Sequence, residues 1–521
     1  MGVRSAIREL FRKERPKRRR SYAGASMSRL TSDWVTSGTS ADSEVKSSYK
    51  ILRNRARQLC RDNDYAKQAL RSITNNVIGH GIYHQSQVRM QRGNRMDEAV
   101  NARIHEAWKH WSHKSRCDVS GLLNFYDMER LLCRSLVESG EVFIRIIRRP
   151  FGDSKIPFAL QVLEADYLVD EEGSGAKNDR VVRMGIERDE YLRPIAYHFY
   201  NNHPGDQFFS RLSDKPKVRV PAKDVIHLFM PERPNQTRGV TWFASALQRL
   251  HMLEGYENAE LVRARASSAL MGFITSPEGE LMGDDVVENQ RVTDFEPGVF
   301  KYLDAGQSVE VPQLDAPDGQ LEAFTRSMLR AAAAGIGVSF ESISKNYSQS
   351  NYSSSRLSLL EERDTYKCIQ RYFIDNFHQI VFDQWLEMAV LSGELNLPGY
   401  EITPERYRAS KWVPRSWEWV DPQKEVAAYK TAVRSGFKTL GQVISEQGGD
   451  LEEVLTMRQA ELAMLDERNI ITDTDPSEVN GGGGAQSGLG MGASPAFEDT
   501  QSPTTNEQEN EAPEGQADDE D

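Results

Sequence analysis

The stretch HEAWKHWSH at residues 105–113 brings metal-ligating side chains close together in the sequence. It contains His105, His110 and His113, with Glu106 beside the first histidine. Imidazole nitrogens bind ions such as Zn²⁺, but ligands on one helix have to share a face. A step of five residues turns a helix by about 140°, so His105 and His110 point to different sides. The spacing therefore favours a solvated helix face over a metal site.

Other stretches that resemble catalytic motifs lack the context that the chemistry requires. Glu361 and Glu362 are two adjacent carboxylates, but adjacent helical residues point apart, which favours a charged face over an acid–base dyad. His80 and His84 in GHGIYH fall in a predicted turn, so a surface loop is expected. GFKT at 436–439 lacks the glycine loop that precedes a Walker A lysine. We therefore predict no catalytic residue, no metal and no cofactor.

The four cysteines are far apart in the sequence and form no CxxC pair; they are Cys60, Cys117, Cys133 and Cys368. Structural metal sites and redox motifs use closely spaced cysteines. We therefore expect buried, reduced thiols, as in a cytosolic protein.

Charge is distributed very unevenly along the 521 residues. Residues 1–22 carry nine Lys or Arg and two Asp or Glu, whereas no Lys or Arg and 13 acidic residues follow Arg468. The net charge is −12 for the whole chain and −6 for residues 23–468. The basic run KERPKRRR at 13–20 is compatible with phosphate binding and equally with contact to an assembly partner. Oppositely charged ends are more typical of assembly proteins than of enzymes.

The elements that position these side chains follow from the period of the hydrophobic residues. Helical spacing predicts helices at 49–77, 96–113, 124–140, 239–272, 357–391 and 421–469, with Gly255 as a possible kink in the fourth. Short β-branched and aromatic runs predict strands at 141–149, 158–169, 181–189, 194–201 and 217–229, with more short strands in 273–325. Residues 406–419 are aromatic-rich and predicted to be a loop. The fold class is therefore α+β, and no apolar run reaches the ~18–20 residues that span a membrane.

A polar segment, SKNYSQSNYSSSR, occupies residues 344–356 between two orderly stretches. The small-residue run LRAAAAGIGVSFESI precedes it and the predicted helix 357–391 follows it. Six of its thirteen residues are serine, and none has an aliphatic side chain. Composition alone favours an ordinary solvent-exposed loop.

The order of these motifs resembles that of the lambda-type portal proteins of tailed bacteriophages. The matching stretches run through residues ~50–420 and include LVESGEVFIR (136–145), RGVTWFASALQRLHMLEGYENAELVRARASSALMGFI (238–274) and VSFESISKNYSQSNYSSSRLSLLEERDTYK (338–367). The resemblance implies a portal fold with a wing, a β-rich clip, a helical stem, a helical crown and a tunnel loop, assembling as a ring of twelve copies.

Resemblance and composition together divide the chain into eight segments. These are a basic flexible arm (1–48), a first part of the wing (49–169), a clip-like β-rich region (170–235), a stem helix (239–272), a β part of the wing (273–325), a tunnel-loop region with a long helix (326–392), a crown-like helical region (400–470) and a disordered acidic tail (471–521).

The resemblance also implies a function and a set of partners. The ring would sit at one capsid vertex of the virion, assemble in the host cytoplasm, and form the channel for DNA packaging and ejection. Its partners would be double-stranded DNA without sequence specificity, the terminase large subunit, the major capsid or scaffold protein, and head-completion or tail connector proteins. Another minor virion or adaptor protein is the alternative, and a nucleic-acid enzyme is a third possibility.

The site residues implied by the resemblance are in two groups. The DNA-facing tunnel loop would contain Lys345, Asn346, Tyr347, Ser348, Gln349, Asn351, Tyr352 and Arg356. The stem would contribute Arg249, Arg263 and Arg265. Hydroxyl and amide groups make weak, exchangeable phosphate contacts, which suits a channel that surrounds DNA without holding it.

Overall fold

The computed structural model describes residues 29, 32–91, 95–169, 181–206, 217–268, 273–275, 286–287, 290–291, 308–310, 320–348, 351–417, 422–446, 449, 451–468 and 470. Most of the predicted basic arm and the whole predicted acidic tail 471–521 lie outside these residues. The chain divides into two units, Met1–Thr439 with Glu446–Gly448, and Leu440–Ser445 with Gly449–Asp521. In the described residues, no helix has the length and apolarity needed to cross a membrane.

The first predicted helix, 49–77, is in fact two helices, α1 (Ala41–Asp62) and α2 (Asp64–Val77). The break is at Asn63, whose extended backbone ends α1 and whose side chain accepts a hydrogen bond from the Ala66 N–H at 3.0 Å. Residues 41–48 are helical, so the prediction of a flexible arm up to residue 48 is wrong there. Ser40 caps α1, and Val45 belongs to a small buried cluster that stabilises its first turns.

The next two helices confirm their predictions within two residues at each end. They are α3 (Glu98–Trp111) and α4 (Phe125–Ser139). Their apolar faces enter the main hydrophobic core, where Trp108 and Trp111 are buried. Gly140 ends α4 in the left-handed conformation, with φ of 85°, as glycine at this position commonly does.

A three-stranded antiparallel sheet lies against this core. Its strands are β2 (Glu141–Ile147), β3 (Ala159–Leu163) and β8 (Val225–Phe229), with β2 in the centre. The predicted strand 217–229 is therefore two strands, because a 3₁₀ turn at Ala222–Asp224 separates β8 from the strand before it. The two halves belong to different sheets.

The second sheet is a four-stranded antiparallel meander of consecutive strands. They are β4 (Val181–Arg183), β5 (Ile186–Arg188), β6 (Pro194–Tyr200) and β7 (Lys217–Pro221). The prediction of one strand over 181–189 missed the turn at Met184 and Gly185, both of which have positive φ. The sheet has its own hydrophobic cluster, which includes Tyr197 and Phe199.

The long predicted helix 239–272 is shorter in the structure, where α5 spans Leu247–Ser268. It is continuous through Gly255, so no break occurs there. Residues 242–246 form turns instead, and the N–H of Trp242 donates to the carbonyl of Val137 at 3.2 Å rather than within a helix. Four short strands follow, paired in two ribbons: β9 (Phe273–Thr275), β10 (Val286–Val287), β11 (Gln290–Arg291) and β12 (Ser308–Glu310).

Four helices then carry much of the remaining core. They are α6 (Gln320–Ile336), α7 (Phe340–Ser344), α8 (Tyr352–Phe373) and α9 (Gln379–Leu391). The predicted helix 357–391 is α8 and α9 joined by one π-helical turn, Ile374–His378. The side chains of Phe373, Phe377 and Trp385 are fully buried in the main core.

Residues 406–419 were predicted as a loop, and this prediction is wrong for their first half. Helix α10 (Pro404–Arg408) is followed by β13 (Ser410–Val413), which pairs antiparallel with β1 (Tyr83–Ser86). Trp412 of β13 is opposite His84 of β1. Helix α11 (Pro422–Arg434) follows.

The last two described helices are α12 (Leu440–Glu446) and α13 (Leu451–Glu467). Within the second unit, the Gly449 N–H donates to the carbonyl of Ile444 at 2.9 Å. Gly441 lies close to the side chain of Leu451. These contacts join the two helices of that unit.

Candidate functional site: the polar loop and the ion pairs around Glu141

The polar loop begins at the end of α7, a helix of one turn that is closed at both ends. Ser339 caps its N-terminus, with its hydroxyl accepting from the Ser342 N–H at 3.1 Å. Lys345 ends it in the left-handed conformation, with φ of 56°, and its N–H donates to the carbonyl of Glu341. Lys345 is thus held by the backbone, and the loop proper starts there.

The loop is shorter than the sequence predicts, because α8 begins at Tyr352 rather than at residue 357. The side chain of Asn351 accepts a hydrogen bond from the Ser354 N–H at 2.8 Å and caps the helix. Asn346 makes a turn of its own, in which its side-chain oxygen accepts from the N–H and the hydroxyl of Ser348 at 3.0 and 2.7 Å. The segment between the helices is therefore residues 345–351.

The predicted loop residues are divided between this loop and the helix after it. Tyr347 is 58% exposed in the loop. Gln349 lies outside the described residues. Tyr352 is the first residue of α8, and Arg356 is one turn further on, where its guanidinium lies 3.3 Å from the carboxylate of Glu425. Of the predicted loop residues that the structure describes, only Lys345 to Ser348 and Asn351 are outside a helix.

Glu362 anchors the base of the loop. Its carboxylate accepts from the Ser339 N–H at 2.5 Å and from the Ser342 hydroxyl at 3.0 Å. Glu362 is 9% exposed, whereas its neighbour Glu361 is on the solvent side of α8. The two carboxylates point apart as the sequence predicted, and Glu362 ties α7 to α8.

The three predicted stem arginines lie on α5 but do not share one face. At about 100° per residue, Arg249 and Arg263 are within about 40° of each other, and Arg265 is on the opposite side. Arg263 pairs with Glu260 one turn earlier, at 2.5 Å. Arg249 and Arg265 are exposed.

A buried ion pair connects the start of β2 with the chain before α5. Glu141, the first residue of β2, and Arg238, in the chain before α5, are 0% and 1% exposed. The Nε of Arg238 lies 2.8 Å from Oε1 of Glu141, and the N–H of Gly239 donates to Oε2 at 3.0 Å. His227 of β8 approaches Oε2 to 3.1 Å. Burial alone would raise the pKa of Glu141, but the charge of Arg238 and the hydrogen bond from His227 outweigh it and lower this pKa.

Further ion pairs extend from this site towards the surface. Arg53 of α1 lies 3.8 Å from Glu141 and 2.8 Å from Asp166. Arg57, one turn later, contacts Asp166 at 2.6 Å and Glu164 at 3.0 Å. Helix α1 is thereby attached to the turn that leads from β3 towards the four-stranded sheet.

Glu164, Asp166 and His203 bring three possible metal ligands together, with their ligand atoms within 4.8 Å of one another. Two features favour an ion-pair cluster instead. Arg57 already occupies the space between the carboxylates. The Gly205 N–H donates to Nδ1 of His203 at 3.0 Å, so the neutral ring carries its proton on Nε2, the atom that faces Glu164 at 3.5 Å. A metal on Nε2 would have to displace that proton.

His84 was predicted in a surface loop, and this is wrong. It is on β1 and 3% exposed, with ring centroids of Phe382 and Trp412 at 4.0 and 4.9 Å. Neither ring nitrogen has a hydrogen-bond partner in the described chain. Burial, followed by the charge of His105, lowers the pKa of His84 to about 3. The ring is therefore a neutral part of the aromatic core.

The remaining candidates divide into exposed and buried groups. His105, His110 and His113 are all exposed, the first two on α3 and the third just after it. Three of the cysteines are buried, as predicted, and burial raises the pKa of each thiol to about 12: Cys60, Cys117 and Cys133. Cys368 is exposed on α8, so the prediction fails for it.

The structural roles of Glu141, Arg238 and Glu362 were not predicted from the sequence. A signal was present for the first two, since each charge stands next to a glycine at the edge of an apolar stretch, in SGEVFI and TRGVTWF. A charge in that setting needs a partner when it is buried. The identity of the partner could not be read from the sequence.

Comparisons with known proteins all point to the same family. The family described as phage portal protein, lambda family, matches residues 27–370. The chain is 32% identical over 452 residues to the probable portal protein of Halomonas phage phiHAP-1, covering 85% of this chain and 86% of that protein. It is 22% identical over 464 residues to portal protein B of Escherichia phage lambda, covering 82% and 86%.

Among solved structures, the chain is similar to one in the neck of an empty gene transfer agent particle. The TM-score is 0.42 at 13% identity, over 76% of this chain and 93% of that chain. The match of the family to residues 27–370 covers most of the chain, and the Halomonas phage relative is similar over nearly its whole length. The chain belongs to the lambda family of phage portal proteins.

Proposed function

We propose that twelve copies of this chain form a ring at one vertex of the capsid and that the genome passes through its channel during packaging and ejection. The role is structural and includes no catalysis. Assembly takes place in the host cytoplasm, and the ring remains in the virion. Family membership supports this proposal, since portal proteins of phages are structural components.

The observation that carries the channel assignment is the loop 345–351 and its anchorage. The loop is polar and connects α7 to α8, and Tyr347 within it is 58% exposed. Its base is fixed, because Glu362 binds the start of α7 and Asn351 caps α8. A short polar loop on a fixed base can follow a moving duplex without changing the fold around it.

The chemistry of the loop suits weak contact with DNA. Lys345 is its one cation in the sequence 345–351, and the other side chains offer hydroxyl and amide groups. Such groups reach phosphate oxygens without reading bases. Affinity rises with each phosphate that a cation neutralises, and a ring repeats every cation in each copy, so one lysine per copy limits the grip.

Two other regions are assigned by the same proposal. The four-stranded sheet β4–β7 forms the clip, which binds the terminase large subunit and later the head-completion or tail connector proteins. Helix α5 belongs to the stem, with Arg249, Arg263 and Arg265. Residues 49–169 and 273–325 form the wing, which contacts the major capsid or scaffold protein. Residues 326–392 hold the tunnel loop and the long helix after it, and residues 400–470 contribute the crown.

A deletion of residues 347–350 tests the loop and keeps the cap at Asn351. We expect the purified variant to form the same particle of about 700 kDa, twelve times 59.1 kDa. Packaging or retention of DNA in the assembled head should fall. A matched control replaces Tyr347 by Ser in the full-length loop and should keep both. Normal packaging by the deletion variant would refute the channel loop, and a wild-type chain that stays monomeric would refute the ring.

A further inference from the structure

Four of the eight residues that line a groove between α2 and α4 are cations. Its volume is about 280 Å³, and Lys67 and Arg71 of α2 face Arg130 and Arg134 of α4 across it. Leu131, which is 37% exposed, adds an apolar surface. Among the described residues, no acidic side chain lines the groove. We call this the cationic groove.

The positive charge of the groove is only partly compensated. Arg130 donates to the carbonyl of Gly79 at 2.9 Å, and Arg134 is 3.7 Å from Glu138. Lys67 and Arg71 are exposed, and their side chains form no hydrogen bond or ion pair with any residue that the structure describes. Two of the four charges are therefore available to a carboxylate from outside the chain.

The first turns of α8 carry a complementary surface. Leu357 and Leu360 are 69% and 43% exposed, and Glu361 and Asp364 are exposed on the same side. At about 100° per residue, the four residues lie within about 100° of one another around the helix. We call this the acidic leucine stripe. Neighbouring exposed leucines supply apolar surface that an interface with another protein would cover.

We propose that the acidic leucine stripe of one copy packs into the cationic groove of the next copy. The carboxylate of Glu361 would meet Lys67 and Arg71, and Asp364 would exchange its exposed ion pair with Lys367, at 3.1 Å, for the same two cations. The leucines would cover Leu131. This proposal rests on the proposed ring and names one of its contacts. Groove and stripe are different surfaces, so each copy would present its stripe to one neighbour and its groove to the other. Such a head-to-tail contact forms a ring when the rotation between copies closes.

A second copy fits the groove better than a DNA backbone does. A phosphate chain has no group to cover Leu131, whereas the stripe supplies both apolar and acidic side chains. The stripe also starts just after the loop 345–351, so the contact would fix the loop of one copy against α2 and α4 of another. Charged pairs of this kind mainly determine which surfaces meet and how they are aligned.

Charge reversal provides the test. The full-length variant with Lys67→Glu and Arg71→Glu should raise the concentration needed for half-maximal ring assembly at least about tenfold, measured by mass photometry. The variant with Glu361→Lys and Asp364→Lys should do the same. Combining all four substitutions should restore assembly, because the charges are again opposite. The control for the first variant is Lys109→Glu with Lys114→Glu, at two exposed positions near α3, which changes the net charge by the same amount.

The outcomes distinguish a wrong contact from the absence of a ring. Rings that form equally well in both double variants would refute the contact while leaving the ring intact. Rings that form normally but bind double-stranded DNA more weakly in the first variant would assign the groove to DNA instead. Defects that the four-substitution variant fails to repair would also refute the pairing. A wild-type chain that forms no ring would refute the proposed function.

A disulfide gives an independent measurement. Cys368 is exposed on α8, one turn beyond the stripe, while Cys60, Cys117 and Cys133 are buried. With Arg71→Cys, oxidation of assembled rings should produce a ladder of covalent oligomers on a non-reducing gel. Adding Cys368→Ser should abolish the ladder. A ladder that survives Cys368→Ser, or the absence of species larger than a dimer, would contradict the contact.

Discussion

Arg238 and Glu141 form a buried ion pair between residues that are 97 positions apart in the chain. Both nitrogens on one edge of the guanidinium contact the carboxylate, with Nε and Nη2 at 2.8 and 2.5 Å from Oε1. Nη1 donates to the carbonyl of Met184, in the turn between β4 and β5. The pair thus holds together α4, β2, the four-stranded sheet and the chain that leads into α5.

Replacing Glu141 by Gln should destabilise the protein severely. Arg238 would remain buried without its counter-charge, which typically costs about 3–5 kcal/mol, whereas Arg53 keeps its pair with Asp166 at 2.8 Å. We expect a large fall in the thermal unfolding midpoint, measured by differential scanning fluorimetry. The control Glu44→Gln removes one partner of the exposed pair with Arg233, at 2.8 Å, and should shift the midpoint little. Similar shifts for both variants would contradict the role of the buried pair.

Gly140 and Gly239, the neighbours of Glu141 and Arg238 in the chain, allow the backbones of these two segments to pack closely. Gly140 has φ of 85°, and a Cβ there would overlap the backbone of Val240. Gly140→Ala should therefore prevent correct folding or lower the unfolding midpoint strongly. Gly255→Ala is the matched control, because it is inside α5 with no atom within 4 Å of the added carbon. It should raise stability by about 0.5–1 kcal/mol. A tolerated Gly140→Ala would show that the contact is not tight.

The sequence predicted elements whose signal is local. The apolar period predicts α3 and α4 almost completely, and the predicted end at residue 140 is one residue beyond Ser139, the last residue of α4. The prediction from sequence failed at β13, because this strand of four residues is stabilised by pairing with β1, more than 300 residues earlier in the chain. It also failed at α8, where reading Asn351 as a cap would have placed the start correctly.

The candidate site was predictable to the same extent. The composition of 344–356 indicated a polar loop, but the anchor Glu362 is a single charge on a charged helix until its contact with Ser339 is known. Glu141 and Arg238 are likewise single charges in the sequence until their mutual contact is known. Such pairs depend on the packing of distant segments, which no local pattern encodes.

His84 should make the protein sensitive to acid. Its pKa is 6.5 in an unfolded chain and about 3 when folded, so between these values the unfolded state binds the proton more readily. Stability must therefore fall as pH decreases through this window, by up to about 1.4 kcal/mol per pH unit. His84→Phe, which fits the same aromatic surroundings, should show a smaller fall in the unfolding midpoint between pH 7 and pH 5.

The buried pair of His378 and Glu129, 2.9 Å apart, is present in the wild type and in His84→Phe. Its contribution to the pH dependence of stability is therefore the same in both. His110→Phe, at an exposed position on α3, is a further control that should behave like the wild type. An identical loss of stability on acidification in the wild type and in His84→Phe would show that His84 titrates normally.

Asn351→Ala should loosen the first turn of α8 without affecting the rest of the helix. The lost cap costs about 1 kcal/mol, which corresponds to roughly fivefold faster amide exchange in that turn. Hydrogen exchange measured by mass spectrometry should show it at Ser354, whose N–H is bound by the Asn351 side chain at 2.8 Å. Asn351→Asp keeps an acceptor and should exchange like the wild type. Equal exchange in all three proteins would contradict the cap.

Glu362→Ala should free the base of the loop. Both hydrogen bonds to α7 are lost, at the Ser339 N–H and the Ser342 hydroxyl, and bonds to a charged acceptor contribute about 1.5–3 kcal/mol each. We expect a lower unfolding midpoint together with faster proteolytic cleavage after Lys345, because α7 is no longer tied to α8. Glu387→Ala, at an exposed position of α9, should change neither quantity. If Glu362→Ala lowers the midpoint but cleavage at Lys345 is unchanged, Glu362 stabilises the helices without holding the loop.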